Sequence, residues 1–502
     1  MVNSPLRTSP RKLRYESLEP RQMLSATARG DYNANGFIDA SDYVVWRATL
    51  HTSVPVAGDA ADGNRDAIIG AEDFGVWRNN FGTLGGDYNT NGSVDAADFV
   101  VWRASLRTTM TTLGFAGDGN QDQIVGPDDY NMWRANFGHA GPQPPVVNWF
   151  DTNIQDSALR TLGHDLYLDG LIDRSDMLAL FTSAEDDGVL DAVEFSDLQA
   201  ITAKTSLFDN LEYVAKLSSY VVAGNAANAQ YQGQSLGNLA AGSSSIQLQN
   251  LVNKWFLGLD RPATPSNYAP ISGTLFVDGP SYTDVNQGNV RDCYILSSLA
   301  ETALKTPAAI TNMFIINGDG TYTLRFYNNT QAEYVTVDSY LPVDGADVLV
   351  YAGIGKRAND PANELWVSLA EKAYAQINEM GWLRPFISGN GQNNYAAIAG
   401  GYIYAALGQI TGQATAAFNM TLVPTNFALF VDAYNQNKLI GFSSKSAPAS
   451  AAVVANHAYA VVSYNEADQT ITLFNPWGVQ FGLLTMTWAE IQGSFTHFDR
   501  TA

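Results

Sequence analysis

Short amphipathic runs dominate the first third of the chain, and longer apolar segments of two different periods follow. YVVWRATL, FGVWRNNFG, FVVWRASL and YNMWRANFG each space an aromatic residue, a Val or Met, and a Trp so that they share one face of a short helix. IQDSALRTL and DMLALF continue the helical period. Residues 205–270, rich in Ala, Gly, Asn, Gln and Ser and closing on RPATPSNYAP, read as a few helices followed by a linker. From Cys293 onward Leu296, Leu299, Ala300, Ala303 and Leu304 fall on one helical face. ELWVSLAEKAYAQIN predicts another helix, with Trp366, Leu369, Ala373 and Ile377 together. The period then changes: ANHAYAVVSYN alternates as a strand does, and QTITLFNPWG predicts its hairpin partner. No run of about 18 apolar residues occurs, so no membrane-spanning helix is predicted.

Composition narrows this picture. At 502 residues the chain exceeds one core, and 46% hydrophobic against 16% charged residues can bury several. Lys+Arg 28 against Asp+Glu 50 gives a net charge of -22, which argues against nucleic acid and for cations as partners. The single cysteine excludes an intrachain disulfide.

The acidic residues are not scattered. Twelve-residue segments begin at Asp31, Asp62, Asp87 and Asp118; Asp31 and Asp87 lie 56 residues apart, as do Asp62 and Asp118, so a two-loop module is duplicated. Oxygen donors recur at positions 1, 3, 5 and 12: Asp31, Asn33, Asn35 and Asp42; Asp62, Asn64, Asp66 and Asp73; Asp87, Asn89, Asn91 and Asp98; Asp118, Asn120, Asp122 and Asp129. Asp39 and Asp95 add position 9, the odd positions turn inward around a hard cation, and Gly36 and Gly92 permit the sharp turn at position 6. The expected ion is Ca2+. A loop followed by one exit helix resembles the dockerin module, with copies over 30–83 and 86–140. That resemblance implies docking onto a cohesin-like partner. DLYLDGLIDRSD and SAEDDGVLDAVE, within 148–204, look like a degenerate EF-hand pair with Tyr167 where an oxygen donor is wanted. Near the start, LEPRQMLSA resembles a short leader of exported bacterial proteins, so residues 1–29 are expected to be a leader or disordered, and the protein extracellular or at the cell surface.

Cysteine catalysis needs a thiolate, a base, a group that orients the base, and donors for the oxyanion. Cys293 opens a predicted helix, whose N-terminus favours a thiolate, with Asp292 as candidate cap. Gly288 permits the turn that returns Gln287 to the thiol as oxyanion donor, beside the Cys293 N–H. His457, on the alternating strand, is the candidate base, and Asn475 at the end of the next strand accepts from its ring under Trp477. His497 has no such setting and reads as structural.

QGNVRDCY, HAYAVVSY and LFNPWG, in that order, resemble the motifs of the calpain family of papain-like cysteine proteases, over about residues 272–498. The resemblance implies Cys293 as nucleophile, His457 and Asn475 as its partners, Gln287 at the oxyanion position, and protein substrates cut at limited sites. Arg291 and Tyr294 depart from the family's Gly and Trp; Arg291 could favour the thiolate or strain the backbone. The family also implies calcium within the protease core. With the catalytic region running close to the last residue, regulation is expected upstream. The expected fold is multidomain: small all-α calcium loop-helix modules first, and an α+β papain-like two-lobed cysteine protease domain over 271–502. The expected function is a calcium-dependent cysteine endopeptidase tethered by its modules. The alternatives are a calcium-dependent scaffold or adhesion protein with an inactive protease-like domain, and an acyltransferase using an amine acceptor.

Overall fold

The computed structural model describes residues 28–502 apart from 59, 107–116, 121–122, 140–147, 386 and 421–425. The expected leader, up to residue 27, and the candidate ligand Asp122 lie outside the described residues. The chain divides into two compact units, Met1–Val146 and Val147–Ala502.

In the first unit each twelve-residue loop runs into a ten-residue helix: α1 (Ala40–Thr49), α2 (Ala71–Asn80), α3 (Ala96–Ser105) and α4 (Pro127–Asn136). The helices start where they do because position 12 is also the third helical residue. Its carboxylate accepts the N–H of position 9: Asp42 from Asp39 at 2.8 Å, Asp73 from Gly70 at 2.7 Å, Asp98 from Asp95 at 2.9 Å and Asp129 from Gly126 at 2.7 Å. Ile38, Ile69, Val94 and Val125, at position 8, are buried as loop anchors. Each module is closed by reciprocal indole bonds. Trp46 Nε1 donates to Gly70 O and Trp77 Nε1 to Asp39 O, and Trp102 and Trp133 repeat this with Gly126 O and Asp95 O. The expected common buried face is only partial, since Val44 and Val100 are each 64% exposed.

The second unit holds three cores. The first is helical and reaches from Phe150 to Phe256, including helices Arg174–Ser183, Ala192–Ala203, Glu212–Val222 and Ser245–Trp255. The two EF-hand-like loops do not pair with each other: Ile172 N donates to Leu207 O, and Val189–Leu190 pairs with Ser243–Ser244. Nor does residue 270 mark a boundary. Arg261 bridges to Asp338, Asn267–Pro270 pairs antiparallel with Tyr340–Val343, and fully buried Lys254 joins Asp260 to Glu379. The expected linker is therefore packed structure.

The second core surrounds the Cys293–Lys305 helix and a three-stranded antiparallel sheet, β1 (Phe314–Ile316), β2 (Thr321–Asn328) and β3 (Gln331–Asp338). Helix Trp366–Ile377 runs through it, buried on every side rather than on the one face its period predicts. The third core lies in a six-stranded antiparallel sheet built from β4 (Thr415–Asn419), β5 (Ile440–Ser444), β6 (Ala458–Asn465), β7 (Thr470–Phe474), β8 (Leu483–Thr487) and β9 (Phe495–Thr501). Its order is β4-β9-β5-β6-β7-β8. The predicted hairpin is β6 and β7, with Ala460 opposite Phe474, so the residues that flank those ends, His457 and Asn475, arrive side by side. Glu301, buried on the Cys293 helix, accepts from Ile440 N at 3.0 Å and Val461 N at 3.1 Å, which ties that helix to the six-stranded sheet.

Candidate active site and calcium loops

Cys293 is the first residue of its helix, half-buried on the wall of a cleft of about 790 Å3. Gln287, His457 and Trp477 line the same cleft, facing Gly400, Gly401 and Tyr402. His457 is set by its backbone: its N–H donates to Ser444 Oγ at 2.8 Å, and Ser444 donates on to Val454 O at 2.6 Å. The ring's Nε2 lies 2.8 Å from Asn475 Oδ1, which leaves Nδ1 as the nitrogen for proton transfer. Asn475 Oδ1 is held in turn by Trp477 N at 3.0 Å, and the Trp477 ring lies 4.9 Å from the imidazole, sheltering the Asn–His bond from water.

The electrostatics favour a neutral pair at rest. Burial lowers the His457 pKa, with the Asn475 bond opposing. Burial pushes the Cys293 thiol up to about 11, and the nearby Asp292 adds to this. Backbone N–H groups of Ala458, Tyr294 and Cys293 itself oppose the rise, so the helix start does act on the sulfur without overcoming its burial.

Four residues take settings that the sequence did not predict. Asp292 occupies the helix-capping position, yet its side chain makes no cap bond; it accepts from Gln287 Nε2 at 3.1 Å instead. Gln287 Nε2 also donates to Val290 O at 2.7 Å, so both amide hydrogens already have acceptors within the loop. The Gly288 requirement comes from close approach, because a Cβ there would lie 2.4 Å from Tyr351 O. His497, read as structural, lines the cleft from β9. The departures at 291 and 294 are absorbed. Arg291 is exposed, and its backbone lies outside the left-handed region. Tyr294 is buried, donates to Ile398 O at 3.2 Å and lies flush under Gly401.

Sequence reasoning missed Ser444 and the Ala458 N–H. Ser444 and Ala458 act through backbone geometry that no motif records.

In the first unit the loop donors sit in the expected turns. Asp31 accepts from Asn35 N at 3.1 Å and Gly36 N at 2.9 Å; Asp62 accepts from Asp66 N and Ala67 N; Asp87 accepts from Asn91 N and Gly92 N; Asp118 accepts from Gln123 N. Position 3 bonds forward in the same way, with Asn33, Asn64 and Asn89 accepting from position 5. Position 5 continues the pattern, with Asn35, Asp66 and Asn91 accepting from position 7. Position 9 departs from expectation: Asp39 and Asp95 turn to cap α1 and α3. Position 6 is left-handed at Gly36 and Gly92, and equally at Ala67 (φ 69) and Gln123 (φ 72), where a side chain costs on the order of 1 kcal/mol. Burial, together with the nearby Asp42, raises Asp31 to about 6, and burial raises Asp42 and Asp87 as well. Carboxylates so crowded fit a bound cation, with the asparagines as neutral donors. Among the described residues, no group of three or more His, Cys, Asp or Glu is gathered as a metal cluster.

Residues 260–492 match the family model for calpain family cysteine protease. Calpain-type cysteine protease ADL1 of Oryza sativa subsp. japonica is 29% identical over 252 residues, covering 46% of this chain and 10% of the relative. Calpain-8 of Mus musculus is 26% identical over 245 residues, covering 45% and 32%. The Calpain-1 catalytic subunit of Homo sapiens is 25% identical over 289 residues, covering 53% and 35%. The chain thus spans from a tenth to about a third of these relatives' length. Together these matches support a calpain-family cysteine protease catalytic domain over residues 260–492 of this chain.

Proposed function

We propose that the second unit is a cysteine endopeptidase acting through Cys293, His457 and Asn475, and that the first unit binds Ca2+ and tethers it. The observation that carries the catalytic part is the 2.8 Å bond from His457 Nε2 to Asn475 Oδ1 in the cleft that also holds Cys293. With both groups neutral at rest, His457 Nδ1 takes the thiol proton as Sγ adds to the substrate carbonyl. The Cys293 N–H and Gln287 Nε2 stabilise the oxyanion, the Gln287 N–H that meets Asp292 at 3.1 Å being shared with it. The amine leaves with the proton from His457. Water, deprotonated by His457, then releases the acid and restores the thiol.

Cleavage of unfolded casein by the whole protein and by Cys293→Ala tests this: cleavage lost in the variant supports it, and equal cleavage or none by wild type removes it. A second reading, a calcium-dependent scaffold or adhesion protein whose protease-like cleft only binds, is favoured by the Gln287 amide, whose hydrogens are both engaged within the loop. A thiol-reactive peptide probe separates the two, since labelling that needs His457 belongs to an enzyme. Analysis of products formed with an added amine separates hydrolysis from acyl transfer.

The tether is supported by the duplicated loops and by the reciprocal indole bonds that make each module a closed pair. A cohesin-like docking partner and a location outside the cell or at its surface belong to the same proposal. The two EF-hand-like loops are weaker candidates for calcium: Glu185 and Glu194 are raised by burial, but Tyr167 holds a ligand position.

A further inference from the structure

Two carboxyl groups lie directly behind the nucleophile. Asp292 is 0% exposed and Glu371 1% exposed, and each carboxyl acts on the other electrostatically. Neither is held by a cation: the influences on the pair are burial, each other, and N–H groups of Gln287, Ala352 and the Asp292 backbone. Lys372, next in sequence to Glu371, is turned to Asp338. Burying two unpaired anions side by side is far more costly than holding a proton between them. The other oxygens are accounted for. Asp292 Oδ1 accepts from Gln287 Nε2 and Glu371 Oε2 accepts from Ala352 N at 2.9 Å. Asp292 Oδ2 and Glu371 Oε1 are buried without any hydrogen-bond partner, which makes them the two oxygens between which a shared proton would sit.

This pair reaches Gln287 by two routes. Asp292 holds its amide directly, while its carbonyl accepts from Ile295 N and Leu296 N to start the nucleophile's helix. Glu371 holds the Ala352 segment, whose neighbours clamp the Gln287 loop: Gly353 N donates to Asn286 O and Asn289 N to Val350 O.

We infer that Asp292 and Glu371 are a one-proton carboxyl pair whose role is to position the Gln287 amide for the oxyanion beside Cys293. This rests on the protease reading above. Glu371 and Asp292 are positioning residues, and their effect belongs to the tetrahedral intermediate rather than to the thiol's own reactivity.

The test uses the whole protein and three readouts: kcat and KM on unfolded casein, the rate of Cys293 alkylation by iodoacetamide, and isotope-edited infrared bands of Asp and Glu carboxyls. Glu371→Leu is expected to lower kcat about 30-fold with KM within threefold, while alkylation, which forms no oxyanion, changes less than threefold. Glu371→Gln, which keeps an N–H for Asp292 and an acceptor for Ala352, recovers at least tenfold over Glu371→Leu. The infrared spectrum shows one buried, protonated carboxyl at pH 7 that changes in both Asp292→Asn and Glu371→Gln. Equal losses in the Leu and Gln variants, or alkylation falling in step with kcat, would reduce Glu371 to a structural residue. If Glu371→Leu fails to fold, Asp292→Asn and the infrared band decide. If wild type cleaves nothing, the protease reading fails on its own, and a missing protonated-carboxyl band then overturns the pair while its presence leaves the proton assignment standing.

Discussion

The two units balance buried acid in opposite ways. In the first, carboxylates such as Asp31 and Asp42 take backbone N–H groups from residues three to nine positions away, and their remaining charge is directed into the loop. In the second, Asp292 meets Glu371 from 79 positions away, and the inferred proton is shared between the two carboxyls. The first arrangement is local and open to an ion from solution; the second is long-range and closed. The difference teaches where each unit is vulnerable: one to chelation, the other to a change in packing or pH.

The sharpest break is at the nucleophile. Cys293→Ala should lower casein cleavage by on the order of 10³-fold or more, while circular dichroism of the whole protein stays unchanged, since a small half-buried side chain is lost. Chelation should act on the other unit. Removing calcium present at about a thousand times its Kd costs about 4 kcal/mol per site, so calorimetry of the whole protein should show one transition fall and the other stay. Two transitions unmoved by chelator would end the metal assignment and the comparison with it.

Asn475→Ala should cost about 10²-fold in kcat with a small change in KM, because His457 loses the bond that sets its ring. The pH profile sharpens the same point. His457 has a lowered pKa in the folded state, so its contribution to stability is present above the ordinary value of 6.5 and is lost as pH falls through the lowered one. The acid limb of kcat/KM should therefore lie below pH 6.5. The carboxyl pair has the opposite sign. Both members are raised, so their contribution is full below the ordinary carboxylate range and is lost as pH rises through the raised values, and Glu371→Gln should flatten that loss. The smallest effect tests the duplication: Trp46→Phe and Trp102→Phe each remove one indole bond, worth about 1 kcal/mol, and should lower the first unit's stability equally.

The loop modules were legible almost to the residue. Their repeat of acidic and amide side chains, their turns and their helix starts are set by neighbours within a dozen positions, so spacing alone reveals them. The side chain of Asp39 shows the limit, because the pattern could not say that it would cap a helix instead of facing the ion position. The candidate catalytic residues were legible as motifs, and the hairpin that joins His457 to Asn475 followed from alternation and a short connection. Less visible was the Trp366–Ile377 helix, whose period suggested one buried face although all of it is buried.

What the sequence by itself determined are the features encoded within one element or one turn: the duplicated loops, the helix behind Cys293, the strand pair carrying His457 and Asn475, and the acidic excess. Only the tertiary structure decided the rest. It placed His497 in the cleft, engaged both Gln287 amide hydrogens, merged the expected linker into the protease unit, and set Glu371 against Asp292. The physical reason is common to these cases. Hydrogen bonds and burial between distant segments depend on how layers pack, and a charged residue inside an apolar run has no meaning until its partner arrives across the core.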